Sequence, residues 1–115
     1  MTPGRYQMYN DNQFKLGLFG ANCSSGRAIN KTPERWLADW ASCSQMARIA
    51  DEGGIDFILP IGRWKGYGGP TNFQGVTYET VTWASGLLAQ TQHVTIFGTV
   101  HAPMFMSGMA LRRSS

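Results

Sequence analysis

Apolar and polar positions follow the same order twice along this chain: a short apolar run, a polar loop rich in glycine, then a stretch with apolar residues every three or four positions. The first unit predicts a strand over 14–19 and a helix over 33–52; the second predicts a strand over 55–61 and a helix over 78–90. A third apolar run, 94–100, predicts another strand, with no recognisable helix after it. Strand alternating with helix marks a parallel sheet covered by helices, and in such folds the loops after the strands carry the chemistry. The strands are therefore expected to be parallel, adjacent in chain order and joined by right-handed crossovers.

The first helix carries the clearest local signals. Thr32 suits the N-cap, Pro33 the first helical position, and Glu34 the positive end of the helix dipole. Trp36, Trp40, Cys43, Ala47 and Ala50 form one apolar face, joined by Leu37, Met46 and Ile49. Gly53 and Gly54 supply a left-handed stop. The following strand is nearly all apolar, as in a parallel strand buried on both faces, and Pro60 weakens pairing near its end.

Composition alters this picture in one region. The chain has 43% hydrophobic and 15% charged residues, the latter below the roughly one quarter typical of soluble domains. Between Glu79 and Arg112 there is no Asp, Glu, Lys or Arg. The second helix and third strand are thus expected to be covered by later parts of the chain or by a second subunit of a homo-oligomer. A closed parallel barrel takes eight strands and about 250 residues, whereas an open doubly wound sheet needs fewer. The pattern of these 115 residues leaves both open.

Charge and motif content exclude several classes. A net charge of +3, scattered without a basic stripe, argues against nucleic-acid binding. No apolar run reaches membrane-spanning length and the N-terminus lacks a secretion signal, so no membrane partner and a cytoplasmic location are expected. Cys23 and Cys43 are too far apart for a close metal pair and read as reduced thiols. His93 and His101 lack a ligand cluster, so no metal is expected.

The loop 62–77 holds the most suggestive chemistry. Its glycines permit close backbone approach, Arg63 and Lys65 suit phosphate or carboxylate oxygens, and Trp64 and Tyr67 can stack on a flat ring. Ordinary turn glycines in a solvated loop explain it equally well. Neither the Walker phosphate loop nor the dinucleotide fingerprint is present. In the first loop, Asn22, Ser24, Ser25 and Arg27 suit a substrate entrance or a plain solvated loop. Trp36, Trp40 and Trp83 have the spacing of packing residues, and Asp39, Asp51, Glu52 and Asp56 form no catalytic pair, with Asp39 expected on the solvated side of its helix.

Several segments in order carry a resemblance. Lys15-Leu-Gly-Leu-Phe-Gly20, Ala50-Asp-Glu-Gly-Gly-Ile-Asp-Phe57, Arg63-Trp-Lys-Gly-Tyr-Gly-Gly69 and Val100-His-Ala-Pro103 resemble the N-terminal third of the bacterial luciferase-like flavin monooxygenases. The likeness is to the branch of pyrimidine, alkanesulfonate and dimethyl sulfone monooxygenases, and covers about 14–105. It implies the first three βα units of a TIM (β/α)8 barrel, lacking the third helix and strands 4 to 8. It also implies reduced FMN from a separate flavin reductase, molecular oxygen, and a small organic substrate.

The resemblance further implies FMN contacts at Gly62 and Arg63, and at Gly98 and Thr99, where relatives have a bulge or an unusual peptide bond behind the flavin ring. His101 is the candidate catalytic residue, as a substrate or flavin contact, with a purely structural histidine as the alternative. Relatives continue with Asn-Pro and a third helix, whereas this chain runs into Met106-Ser-Gly-Met-Ala-Leu-Arg-Arg-Ser-Ser115. The expected organisation is a flexible segment 1–13, a partial barrel 14–105 and an atypical tail 106–115. Two functional classes follow: a portion of a flavin-dependent monooxygenase, inactive alone, or a noncatalytic fragment or interaction module that retains part of the fold.

Overall fold

A computed structural model describes residues 7–63 and 66–100 of the chain. Three short strands, β1 (Gly17–Phe19), β2 (Phe57–Leu59) and β3 (Thr95–Ile96), form one parallel sheet in the order β1-β2-β3. Helix α1 (Trp40–Gly53) connects β1 to β2, and α2 (Thr80–Leu88) connects β2 to β3. The parallel, sequential order is the one the sequence pattern predicts. Every element is shorter than its apolar run.

Register divides the strand residues into two faces. Leu18, Ile58 and Ile96 lie side by side across the sheet, and Gly17, Phe57 and Thr95 form the neighbouring row. Because side chains alternate along a strand, these rows point to opposite sides. The first row packs against the helices in a core containing Cys43, Ala47 and Ala50 of α1 and Trp83, Ala84 and Leu87 of α2. On the other face Phe57 meets Phe97 edge to face at 6.0 Å, and both rings are only half-buried. The expectation of strands buried on both sides is corrected accordingly: one face is packed and the other half-covered. Phe14 is 77% exposed and Leu16 is also exposed; the ladder starts at Gly17, and the Leu16 N–H is taken by the Asp56 carboxylate instead of a strand carbonyl.

The first helix also departs from expectation. Thr32, Pro33 and Glu34 do not open it; the Arg35 N–H donates to Thr32 O in an isolated turn. The Trp36 indole N–H donates to Ala21 O at 2.7 Å, and Trp36 O accepts from the Ser25 N–H at 2.6 Å. These bonds hold residue 36 against the first loop, and Ala38 then adopts a left-handed φ of 61°. A helix cannot run through that position without breaking its hydrogen-bond ladder.

Asp39, expected on a solvated helix face, is the N-cap instead. Its carboxylate accepts from the Ser42 N–H at 3.1 Å and the Ser42 hydroxyl at 3.0 Å. That hydroxyl and then that amide hold the Asp39 carboxyl below the usual carboxylate range. Cys43, Ala47 and Ala50 form the buried face as the spacing predicts, joined by Ser44, while Ile49 is exposed. Gly54 ends the helix at φ 84°, a geometry that a side chain would strain.

Helix α2 is capped by Glu79, whose carboxylate accepts from the Thr82 hydroxyl and from the Val81 and Thr82 amides. The hydroxyl first, and then the amides, push its pKa down to about 2. Two further carboxylates act as clasps between units. Asp56 accepts from the Leu16 N–H at 2.8 Å, aligning β1 with β2. Asp51, at the end of α1, accepts from the backbone N–H groups of Gln92, His93 and Val94 and so fixes the lead into β3. Desolvation opposes ionisation of Asp51, but the three amide bonds outweigh it and lower its pKa.

Candidate functional site

Parallel strands put all their carboxyl ends on one side of the sheet, so the loops after β1 and β2 rise from the same edge. They form one interlocked body. Cys23 pairs with Thr77 in an antiparallel bridge, and the Ser24 N–H donates to Val76 O at 2.7 Å. The Gln74 N–H donates to Ser24 O, its side-chain amide donates to Gly26 O at 2.9 Å, and the Ser24 hydroxyl accepts from the Val76 N–H. Gly66 shows how closely the second loop folds on itself: a Cβ there would lie 2.5 Å from Gln74 O. That glycine serves backbone packing within the loop.

Asn22 joins these loops to the central strand. It is fully buried, its side-chain amide donates to Ile61 O at 2.9 Å and Tyr78 O at 3.0 Å, and its side-chain oxygen accepts from the Ile61 N–H at 2.8 Å. Its own carbonyl accepts from the Tyr78 N–H at 3.0 Å. Neither sequence reading of the first loop fits this residue. Asn22 and Ser25 are buried structural members, Ser24 is half-buried in the loop contact, and Arg27 is exposed with its guanidinium 5.6 Å from the Phe19 ring centre.

Gly62 and Arg63 directly follow the Ile61 that Asn22 holds. Gly62 is exposed and Arg63 half-buried. One terminal nitrogen of Arg63 donates to the Tyr67 hydroxyl at 3.0 Å, and the guanidinium lies 4.4 Å from the Tyr67 ring centre. Tyr67 in turn stacks on Phe73 at 5.3 Å. Among the described residues, Arg63 Nε is buried without a hydrogen-bond partner, as is the side-chain oxygen of Gln74. A buried donor left unpaired costs about 1–3 kcal/mol, so Arg63 Nε is an unsatisfied position where an oxygen acceptor would be favourable. Trp64 and Lys65 lie outside the described residues.

The electrostatic setting favours anions. Residues 20–31 and 60–78 contain Arg27, Lys31, Arg63 and Lys65 and no carboxylate, and the nearby helix caps Asp39 and Glu79 are engaged by their own helices. The Cys23 thiol lies within the field of Arg63: burial pushes its pKa up, and Thr77 and Arg63 only partly offset that. Burial likewise raises Cys43, whose sulfur accepts from the Trp83 indole N–H at 3.4 Å. Neither thiol is poised as a nucleophile.

Gly98 and Thr99 follow β3 at the same edge, and no peptide bond among the described residues is cis. A Cβ at Gly98 would meet Val81 at 3.4 Å and Ala84 at 3.7 Å, so the open side of this glycine faces α2. Thr99 O accepts from the Thr80 hydroxyl, which ties the segment to the start of α2. His101 and the tail 106–115 lie outside the described residues.

Separately, Leu18, Phe19, Ala21, Gly26, Trp36 and Met46 line an open apolar pocket of about 200 Å³ beside β1. Among the described residues no group of three His, Cys, Asp or Glu can hold a metal ion, and no helix is long and apolar enough to cross a membrane.

This arrangement defines an α/β segment with a basic, glycine-containing loop cluster at the carboxyl ends of a parallel sheet. No family model matches the chain. It is similar to curated proteins named pyrimidine monooxygenase RutA. The protein from Caulobacter vibrioides is 29% identical over 86 residues, 75% of this chain and 24% of the relative. The one from Pseudomonas syringae pv. syringae is 27% identical over 100 residues, 87% of this chain and 28% of the relative. That from Methylorubrum extorquens is 25% identical over 89 residues, 77% and 24% respectively. The chain spans about a quarter of the length of the curated relatives it matches.

Proposed function

We propose that the chain is the N-terminal portion of a luciferase-like, two-component flavin-dependent monooxygenase, using reduced FMN and molecular oxygen on a small organic substrate. The reading is supported by the relatives named as monooxygenases and, within the fold, by Arg63: its unpaired buried Nε sits after the central strand at a basic edge. On this reading the segment supplies the first three βα units of a TIM barrel, a flavin reductase is the partner, and the location is cytoplasmic.

The residues present fit FMN in part. Arg63 offers a planar donor fork for a carbonyl or phosphate oxygen, and Gly62 offers an exposed backbone. The open side of Gly98 is taken up by α2, so at this end of β3 the contact falls to the backbone and to Thr99. His101 is proposed to face substrate or flavin. Bound FMN supplies the oxygen-activating chemistry; this chain's residues bind and orient it and help exclude water.

Titration of flavin fluorescence tests the reading, with the 115-residue chain beside the full-length Caulobacter vibrioides relative. Saturable binding by the chain, weaker than that of the relative and weakened about tenfold further by Arg63→Ala, is expected from loss of a charge-assisted contact. Absence of saturable binding by the chain, with binding by the relative, favours the noncatalytic-fragment reading. Unchanged affinity in Arg63→Ala removes that residue from the site.

A further inference from the structure

We propose that Asn22 is a positioning residue for the flavin site, orienting the Ile61–Gly62 peptide from the buried side; this rests on the assignment of Gly62 and Arg63 as flavin contacts. A peptide unit is planar and trans, so the Ile61 C=O and the Gly62 N–H lie in one plane and point in opposite directions. The Asn22 side-chain amide donates to that C=O at 2.9 Å, which directs the Gly62 N–H away from the buried asparagine. The side-chain oxygen of Asn22 meanwhile accepts from the Ile61 N–H at 2.8 Å, fixing the preceding peptide as well.

Two consecutive peptides are therefore held by one side chain that is fully buried and cannot exchange its bonds for water. The remaining donor bond, to Tyr78 O at 3.0 Å, anchors the same amide to the segment just before α2. The Gly62 backbone and the start of the Arg63 side chain are thus set by a residue roughly forty positions earlier, itself out of reach of any ligand. Pro60 cannot donate to a strand ladder, so as the chain leaves β2 the Asn22 side chain takes over from the backbone bond of Leu59 O to the Gly20 N–H.

The chemistry specifies the residue type. Asparagine alone of the similarly sized side chains offers an acceptor for Ile61 N–H and two donors for the two carbonyls. Aspartate keeps the acceptor and loses both donors, facing two carbonyl oxygens with a charge; alanine loses everything.

The test uses the 115-residue chain with FMN as the probe, comparing wild type, Asn22→Asp, Asn22→Ala and Asp51→Ala. Asp51→Ala is the stability control, since it removes three backbone hydrogen bonds before β3, at the other end of the strands. Expected are an affinity loss of about tenfold or more in both Asn22 variants, a change within about twofold in Asp51→Ala, and faster amide exchange of Ile61 in Asn22→Ala. Equal affinity losses in the Asn22 and Asp51 variants would show that the fold, rather than the peptide orientation, is responsible and would overturn the proposal. So would lowered thermal stability of the Asn22 variants with unchanged FMN affinity, which leaves the flavin assignment standing. Lack of binding by the wild-type chain, with the relative binding, overturns the flavin assignment and this proposal together, and is told apart because wild type itself fails.

Discussion

The two faces of the sheet carry similar apolar residues but differ in what lies opposite them. On one side Leu18, Ile58 and Ile96 meet two helices that present mostly small residues, Cys43, Ala47, Ala50 and Ala84, beside the larger Leu87 and the ring of Trp83. On the other side Phe19, Phe57, Leu59 and Phe97 are larger and yet only half-covered or exposed. Small residues under a helix allow close approach and a dry contact. Large apolar residues without a covering layer indicate a face shaped for contact with something further. Hydrophobicity alone does not distinguish the two faces; what lies opposite does.

The strongest way to test that difference is to truncate a ring on each side. Trp83→Ala, with Trp83 only 1% exposed, should cost about 3–5 kcal/mol in urea denaturation, whereas Phe57→Ala on the open face should cost about 1 kcal/mol. Equal costs would mean that the second face is packed in solution.

Association should respond in the opposite sense. Half-covered aromatic residues and a β1 edge that no other strand among the described residues pairs predict concentration-dependent self-association in sedimentation. Phe19→Glu, placing charge on the open side, should shift the chain toward monomer with a stability change within about 1 kcal/mol. If the variant associates as wild type does, the open face is not the contact.

Acid should loosen the covered side first, because the depressed carboxylates cap its helices or tether its connections. Glu79 titrates at about 2 in the folded chain against an ordinary 4.5, so its stabilisation is complete above 4.5 and is lost as pH falls toward 2. The stability difference between wild type and Glu79→Ala should therefore shrink over that window. Asp39 and Asp51 act in the same direction. Thermal melts at pH 7, 4 and 2 provide the measurement; a wild-type advantage that persists at pH 2 would show that the Glu79 bonds are not the source.

The parallel order of the strands, the buried stripe Cys43–Ala47–Ala50 and the stop at Gly54 were legible because each depends on neighbours a few positions away. The start of α1 was not. Thr32-Pro33-Glu34 is a good local helix signal, but the Trp36 bonds to Ala21 and Ser25 come from another segment and override it. Residue type marked the whole loop 62–77, and only the family resemblance singled out Gly62 and Arg63 within it, whereas Asn22 looked like any polar loop residue. Its importance comes from meeting both Ile61 and Tyr78, two contacts that no spacing within its own loop announces.

The Asp51 clasp also bears on the order in which the chain assembles. Its three amide partners are 41 to 43 residues downstream, so closing this contact requires a long loop to be drawn in, at an entropic cost that grows only slowly with length. The carboxylate becomes a fixed target only when α1 has formed and its last turn is in place. During synthesis the first helix would then present an anchor before residues 92–94 emerge, and each βα unit would supply the docking point for the next. A chain growing from its N-terminus can in this way add strands in register one at a time, with Asp56 having already secured β2 to β1.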